Sequence, residues 1–259
     1  MLEAGDRALR TAVLLPTGHV PGSRRLPVIV SPYGGPHAQE VVESLAAYGA
    51  AQWFADQGFV VVVSDGRGTP GRGPAWDRAV RGDLATAPLD DQVDALHAVA
   101  ELFPDDVDLS RVAIRGWSFG GYLSALAVLR RPDVFHAAVA GAPVTEWRLY
   151  DTAYTERYLG LPQDDSLAYA RSSALTDAAK LSRPLLVMHG TADDNVYFFH
   201  TLKLADALNR ANRSWRLLPF PGQTHGFIEG PQVRQEYERT AEFFRETLGV
   251  PGDAAPPRQ

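Results

Sequence analysis

The sequence predicts an α/β fold: a mostly parallel, doubly wound sheet with helices on both faces. Three observations predict it. Apolar runs of strand length alternate with longer stretches of helical period. The run Phe59 to Ser64 is apolar and β-branched almost throughout, as a strand covered on both faces should be. Proline or glycine stands where several of the helical patterns stop, at Gly58, Pro104 and Pro132.

Taken in order, Leu26 to Val30 reads as the first clear strand and ends in the Pro and Gly cluster Ser31 to Pro36. Leu45, Tyr48, Trp53 and Phe54 share one helical face before Gly58, and Phe59 to Ser64 is the next strand. Leu89, Val93, Leu96, Val99, Ala100 and Phe103 follow the i, i+3, i+4, i+7 pattern of a helix. Val112 to Arg115 is a strand running into Gly116, and Tyr122, Ala125, Leu126 and Leu129 mark the helix that starts after Ser118. Strands are expected at Phe135 to Ala140, Leu185 to His189 and Trp215 to Phe220, with helices over Val196 to Ala211 and Val233 to Leu248. The tail from Pro251 to Gln259 should fray. Residues 1–250 thus read as one domain, with an aromatic insert at about 143–183 that carries Trp147, Tyr150, Tyr154, Tyr158 and Tyr169, long enough to be a lid or a substrate pocket.

Composition narrows the function. With 45% hydrophobic and 22% charged residues in 259, the chain can bury a substantial core. The net charge of -6 and the absence of a basic stripe argue against a nucleic-acid partner. No cysteine means no disulfide framework and no thiolate nucleophile or metal ligand. The longest apolar stretch falls far short of the ~20 residues of a membrane helix. Glu3, Asp6, Arg7 and Arg10 interrupt the start, so no secretory h-region is present and a cytoplasmic location is expected.

Gly116-Trp117-Ser118-Phe119-Gly120 fits G-x-S-x-G and lies between a predicted strand and a predicted helix. That is the setting of a nucleophile elbow, where small flanking residues let the backbone turn sharply and expose the serine hydroxyl above the sheet. A serine nucleophile needs a base and an orienting carboxylate, which α/β-hydrolases supply in the order Ser, Asp or Glu, His. Downstream, Asp193 and Asp194 lie in the loop after the strand ending at His189, and His225 lies in the loop after the strand ending at Phe220. All three loops fall at the carboxyl edge of a parallel sheet, where catalysis gathers. Asp193 is favoured over Asp194, and His225 is the expected base. His19, His97, His136 and His200 do not suit the chain order, and His189 reads as a satisfied structural histidine. Gly66 to Gly71 also matches G-x-G-x-x-G, but Pro70, Gly73 and Pro74 oppose the helix that would hold a pyrophosphate, so a turn is expected there.

With these residues in view, the chain resembles the catalytic domain of the prolyl oligopeptidase superfamily of serine peptidases, most closely its dipeptidyl peptidase IV branch. The likeness runs from about Pro27 to Leu248, through Tyr33-Gly34-Gly35-Pro36, Asp65-Gly66-Arg67-Gly68, Gly116 to Tyr122, Tyr154-Thr155-Glu156-Arg157-Tyr158, His189 to Val196 and His225-Gly226. The resemblance implies an α/β-hydrolase fold with Ser118, Asp193 and His225 as catalytic triad. It also implies an oxyanion hole of the Tyr33 hydroxyl and the Phe119 backbone N–H. Val144, Trp147, Tyr150, Tyr154 and Val196 match the wall of a pocket for proline or alanine, and Asn195 matches a residue that binds the substrate carbonyl.

Members of that branch carry an N-terminal propeller whose glutamates hold the substrate amino terminus, and this chain has no room for it. It is therefore either the catalytic portion of a longer enzyme or a standalone hydrolase. The expected activity is cleavage of peptide bonds after Pro or Ala by an acyl-serine intermediate, with a peptide as partner, no cofactor or metal, and a homodimer as the branch implies. An esterase using the same triad and a non-catalytic binding module of hydrolase fold are the alternatives.

Overall fold

The structure is a computed structural model that describes residues 1–226 and 230–250. Its elements are β1 (Leu2–Ala4), β2 (Leu9–Leu14), β3 (Leu26–Val30), α1 (Gly49–Asp56), β4 (Val60–Asp65), α2 (Pro74–Asp77), α3 (Thr86–Leu102), β5 (Val107–Trp117), α4 (Phe119–Arg130), β6 (Ala137–Gly141), α5 (Thr152–Leu159), α6 (Ser166–Ser172), β7 (Leu185–Gly190), α7 (Phe199–Arg210), β8 (Arg216–Phe220) and α8 (Pro231–Leu248). The eight strands form one sheet in the order β1-β2-β4-β3-β5-β6-β7-β8. β1, β2 and β4 pair antiparallel, and every pairing from β4 through β3 to β8 is parallel.

Strand periodicity explains why both faces are covered. Val28, Val30, Val60, Val62, Val112 and Ile114 point to one side, where they pack with Leu89, Val93 and Leu96 of α3, Leu123 and Leu126 of α4, and Leu204 and Leu208 of α7. Their neighbours Ile29, Val61, Val63, Ala113 and Val139 point to the other side, against Phe54 and Ala55 of α1 and Phe243, Phe244 and Leu248 of α8. All six residues of β4 are buried, its four valines as a β-branched run covered on both faces. The doubly wound α/β-hydrolase arrangement expected from the sequence is the one observed.

The element boundaries differ in places. β5 begins at Val107 rather than Val112, because Leu26 and Pro27 of β3 extend the ladder to Val107 and Asp108 across a register shift. α7 starts at Phe199, three residues after Val196, since the preceding turn is held by the Asp193 side chain. The antiparallel edge β1–β2 was not predicted. Within the aromatic insert, Asp151 caps α5 by accepting from Tyr154 N, and Asp165 caps α6 by accepting from Ala168 N. The tail from Pro251 to Gln259 lies outside the described residues. Among the described residues no helix is long and apolar enough to cross a membrane.

Candidate active site

The carboxyl ends of β3, β5, β7 and β8 bring the candidate residues to one edge of the sheet. Ser118 stands between β5 and α4 with φ 58° and ψ -117°, a left-handed conformation that a non-glycine residue holds only under constraint. Two glycines allow it. A Cβ on Gly116 would collide with the Gly120 backbone, and one on Gly120 with the Pro32 carbonyl oxygen. Ser118 N–H donates to the Gly141 carbonyl at the end of β6 (2.9 Å), which locks the elbow to the sheet. Among the described residues the Ser118 hydroxyl makes no hydrogen bond.

Asp193 follows β7, and its side chain is fully buried. Oδ1 accepts the Asn195 and Val196 N–H groups at 3.0 and 2.9 Å, while Oδ2 accepts His225 Nδ1 at 2.7 Å and His189 Nε2 at 3.1 Å. Burial opposes ionisation of this carboxyl, but the hydrogen bonds from both imidazoles and the backbone outweigh it and hold it far below the ordinary carboxylate range. Asp194, by contrast, is exposed and has no side-chain hydrogen bond among the described residues. The structure thus joins Asp193, not Asp194, to His225. The His225 side chain is 24% exposed, and with Nδ1 held by Asp193 its Nε2 is left for another partner.

Ser118 and His225 are linked indirectly. The indole N–H of Trp117, the residue before the serine, donates to the His225 carbonyl at 2.6 Å. Sequence reasoning assigned Trp117 no role. Its partner lies on a distant loop and leaves no local signature.

Tyr33, on the loop after β3, sets its ring 5.9 Å from that of Phe119. Burial, reinforced by Tyr150, Glu40 and Tyr158, pushes its hydroxyl up to about 12, so it is a proton donor at neutral pH. The Phe119 N–H opens α4 and has no partner within the helix. Val144, Trp147 and Val196 belong to the buried core, and Tyr33, Tyr150, Tyr154 and Tyr158 pack against it. Trp147 stacks on Tyr154 at 5.9 Å and 10°, and Tyr150 meets both rings edge-on. Among the described residues the buried Tyr154 hydroxyl has no hydrogen-bond partner, and burial raises its pKa strongly. Tyr150 donates its hydroxyl to Asn195 Oδ1 at 2.9 Å, which leaves the Asn195 amide N–H groups to serve a carbonyl.

Two histidines stand close to this cluster. His189 is fully buried with both ring nitrogens partnered, in keeping with the structural role expected of it. His37, which the sequence reading passed over, sits at φ 80° on the Tyr33 loop, 5.0 Å from the Tyr154 ring and 3.0 Å from the Tyr158 hydroxyl. It lines a cleft of about 590 Å³ with Tyr158, Arg78, Arg81 and Arg157. The Gly66 to Gly71 segment is a turn, as expected. No helix follows it until the four-residue α2, and Arg67 is instead clamped to Asp91.

Residues 46–251 match the model of the prolyl oligopeptidase family. The chain is 40% identical over 232 residues to dipeptidyl peptidase 8 of Homo sapiens, covering 87% of this chain and 26% of the relative. To prolyl endopeptidase FAP of Bos taurus it is 33% identical over 252 residues, covering 96% of this chain and 33% of the relative. The solved dipeptidyl peptidase 4 of Porphyromonas gingivalis superposes with a TM-score of 0.87 at 34% identity, over 96% of this chain and 35% of that one. The chain spans about a third or less of the length of each of these proteins. Match and geometry agree: the chain belongs to the prolyl oligopeptidase family of peptidases.

Proposed function

We propose that this chain is the catalytic portion of a serine peptidase that hydrolyses peptide bonds after proline or alanine through an acyl enzyme on Ser118. The observation that carries the reading is the 2.7 Å bond between buried Asp193 and His225 Nδ1 at the edge where the strained Ser118 turn lies.

In this mechanism the Ser118 oxygen attacks the scissile carbonyl carbon while His225 Nε2 takes its proton, the two atoms coming within hydrogen-bond reach in the substrate complex. Asp193 keeps the His225 proton on Nδ1 and stabilises the imidazolium. The negative oxygen that forms receives the Tyr33 hydroxyl and the Phe119 N–H, and the positive end of α4 favours the same charge. Collapse breaks the C–N bond, and His225 returns the proton to the leaving amine. Water, activated by the same imidazole, then attacks the ester and frees Ser118. The flat rings of Trp147, Tyr150 and Tyr154 suit a compact apolar side chain on the acyl side, and the Asn195 amide suits the carbonyl before it.

The test is turnover of Gly-Pro and Ala-Pro anilides by the wild type and by Ser118→Ala. Activity in the first and none in the second is expected. Equal activity in both removes the nucleophile, and cleavage of a p-nitrophenyl ester with proline anilides untouched keeps the nucleophile but removes the substrate class.

A further inference from the structure

His189 is the penultimate residue of β7 and Asp193 stands four residues later, both side chains fully buried. His189 Nε2 faces two groups, the Val196 carbonyl at 2.7 Å and Asp193 Oδ2 at 3.1 Å, and both can only accept. The proton is therefore on Nε2, and in the neutral ring Nδ1 accepts from the Thr201 hydroxyl at 2.7 Å in the first turn of α7. The two acceptors fix the tautomer, and Thr201, donating to Nδ1, polarises the ring and strengthens the Nε2–H donor on the carboxylate oxygen that also receives His225 Nδ1.

We propose that His189 is a positioning residue for the reaction: its Nε2–H shares Asp193 Oδ2 with His225, and so sets how strongly that carboxylate holds the catalytic imidazole. The proposal rests on the reading of Ser118, Asp193 and His225 given above. A second donor on Oδ2 disperses the carboxylate charge, so that Asp193 orients His225 without binding the imidazolium too tightly to give its proton back. The same ring grips the Val196 carbonyl and thereby holds the Asn195–Val196 segment, so one buried side chain serves both carboxylate and carbonyl-binding loop. Among the described residues, the titratable groups that act on Asp193 are His189 from β7, His225 from the loop after β8, His200 from α7 and Tyr150 from the insert. His189 and His225 alone among them hydrogen-bond to it.

The experiment compares His189→Met, which removes the donor, with His189→Gln, which can present an N–H near the Nε2 position, and with the near-isosteric Thr201→Val. His225 is titrated by NMR in protein with labelled histidine, and kcat/KM is followed against pH. With the donor gone the carboxylate attracts the imidazolium more strongly, so the His225 titration should move upward by about half to one pH unit in His189→Met, which is about 3- to 10-fold in proton affinity. The acid limb of kcat/KM should move with it. His189→Gln should stay near the wild type, and Thr201→Val should shift the same way by less. Superimposed titrations for His189→Met and the wild type, or equal shifts in the Met and Gln variants, overturn the proposal. If His189→Met does not fold, an unmoved titration in Thr201→Val overturns it. The NMR titration reads the ring whether or not substrate turns over, so absent Ser118-dependent turnover would fault the proposed function and leave the test of His189 intact.

Discussion

Trp117 and His225, 108 residues apart in the chain, are joined by a 2.6 Å hydrogen bond from the indole N–H to the backbone carbonyl. The serine turn and the histidine loop are thus fastened to each other by the residue next to Ser118. Trp117→Phe keeps the aromatic bulk and removes the donor. We expect kcat to fall about 10-fold with KM within about twofold and thermal stability nearly unchanged, since a single hydrogen bond is worth about 1 kcal/mol. Steady-state kinetics on a proline anilide checks this, and a change confined to KM would contradict it.

Tyr33→Phe removes the donor proposed for the oxyanion and leaves the ring on Phe119. The expected loss is about 100-fold in kcat, as for other single oxyanion donors. The donor is the protonated hydroxyl, which persists until the pH approaches about 12, so Tyr33 should place no alkaline limb on the rate near neutrality.

His200 is buried in α7, where its Nδ1 accepts from Thr145 N–H at 3.2 Å. Burial, with His189 nearby, lowers its pKa to about 4. A base whose folded pKa lies below its unfolded value, about 6.5, contributes stability that is present above pH ~6.5 and lost as the pH falls toward ~4. Urea unfolding between pH 7 and 4.5 should show a loss of the order of 2 to 3 kcal/mol from this group, and His200→Gln should flatten that slope.

Asp193 has the opposite kind of group and the same sign. Its folded pKa is depressed, so its stabilisation is present above the unfolded value of about 3.9 and fades as the pH drops below that. Asp193→Asn should lose about 10⁴-fold in kcat, because the amide cannot hold the required tautomer. Its unfolding midpoint should depend less on pH between 5 and 3 than that of the wild type.

Tyr154→Phe deletes a buried hydroxyl that has no hydrogen-bond partner among the described residues. Stability should hold or rise by up to about 1 kcal/mol. Tyr154→Ala, which removes the ring stacked on Trp147, should cost about 3 kcal/mol or more by calorimetry and raise KM for proline substrates.

Much of this was legible from local pattern. β4 and α4 were readable because burial leaves its period in the sequence, and the candidates Ser118, Asp193 and His225 because each stands in the turn or loop that follows a strand. β1 and β2 were not, because Leu2–Ala4 is only three residues long and the inward Thr11 is polar, its hydroxyl bonded to that of Ser64 at 2.9 Å. Nor could spacing show that Trp117 would meet the His225 carbonyl, or that Asp193 would serve two rings. Both arise where loops meet, and only the folded sheet brings those loops together.

The most direct test of the central claim is mass spectrometry of the protein after treatment with a fluorophosphonate. The account predicts one adduct, on Ser118, that is lost in His225→Ala. An unlabelled protein, or an adduct on a different serine, would contradict it.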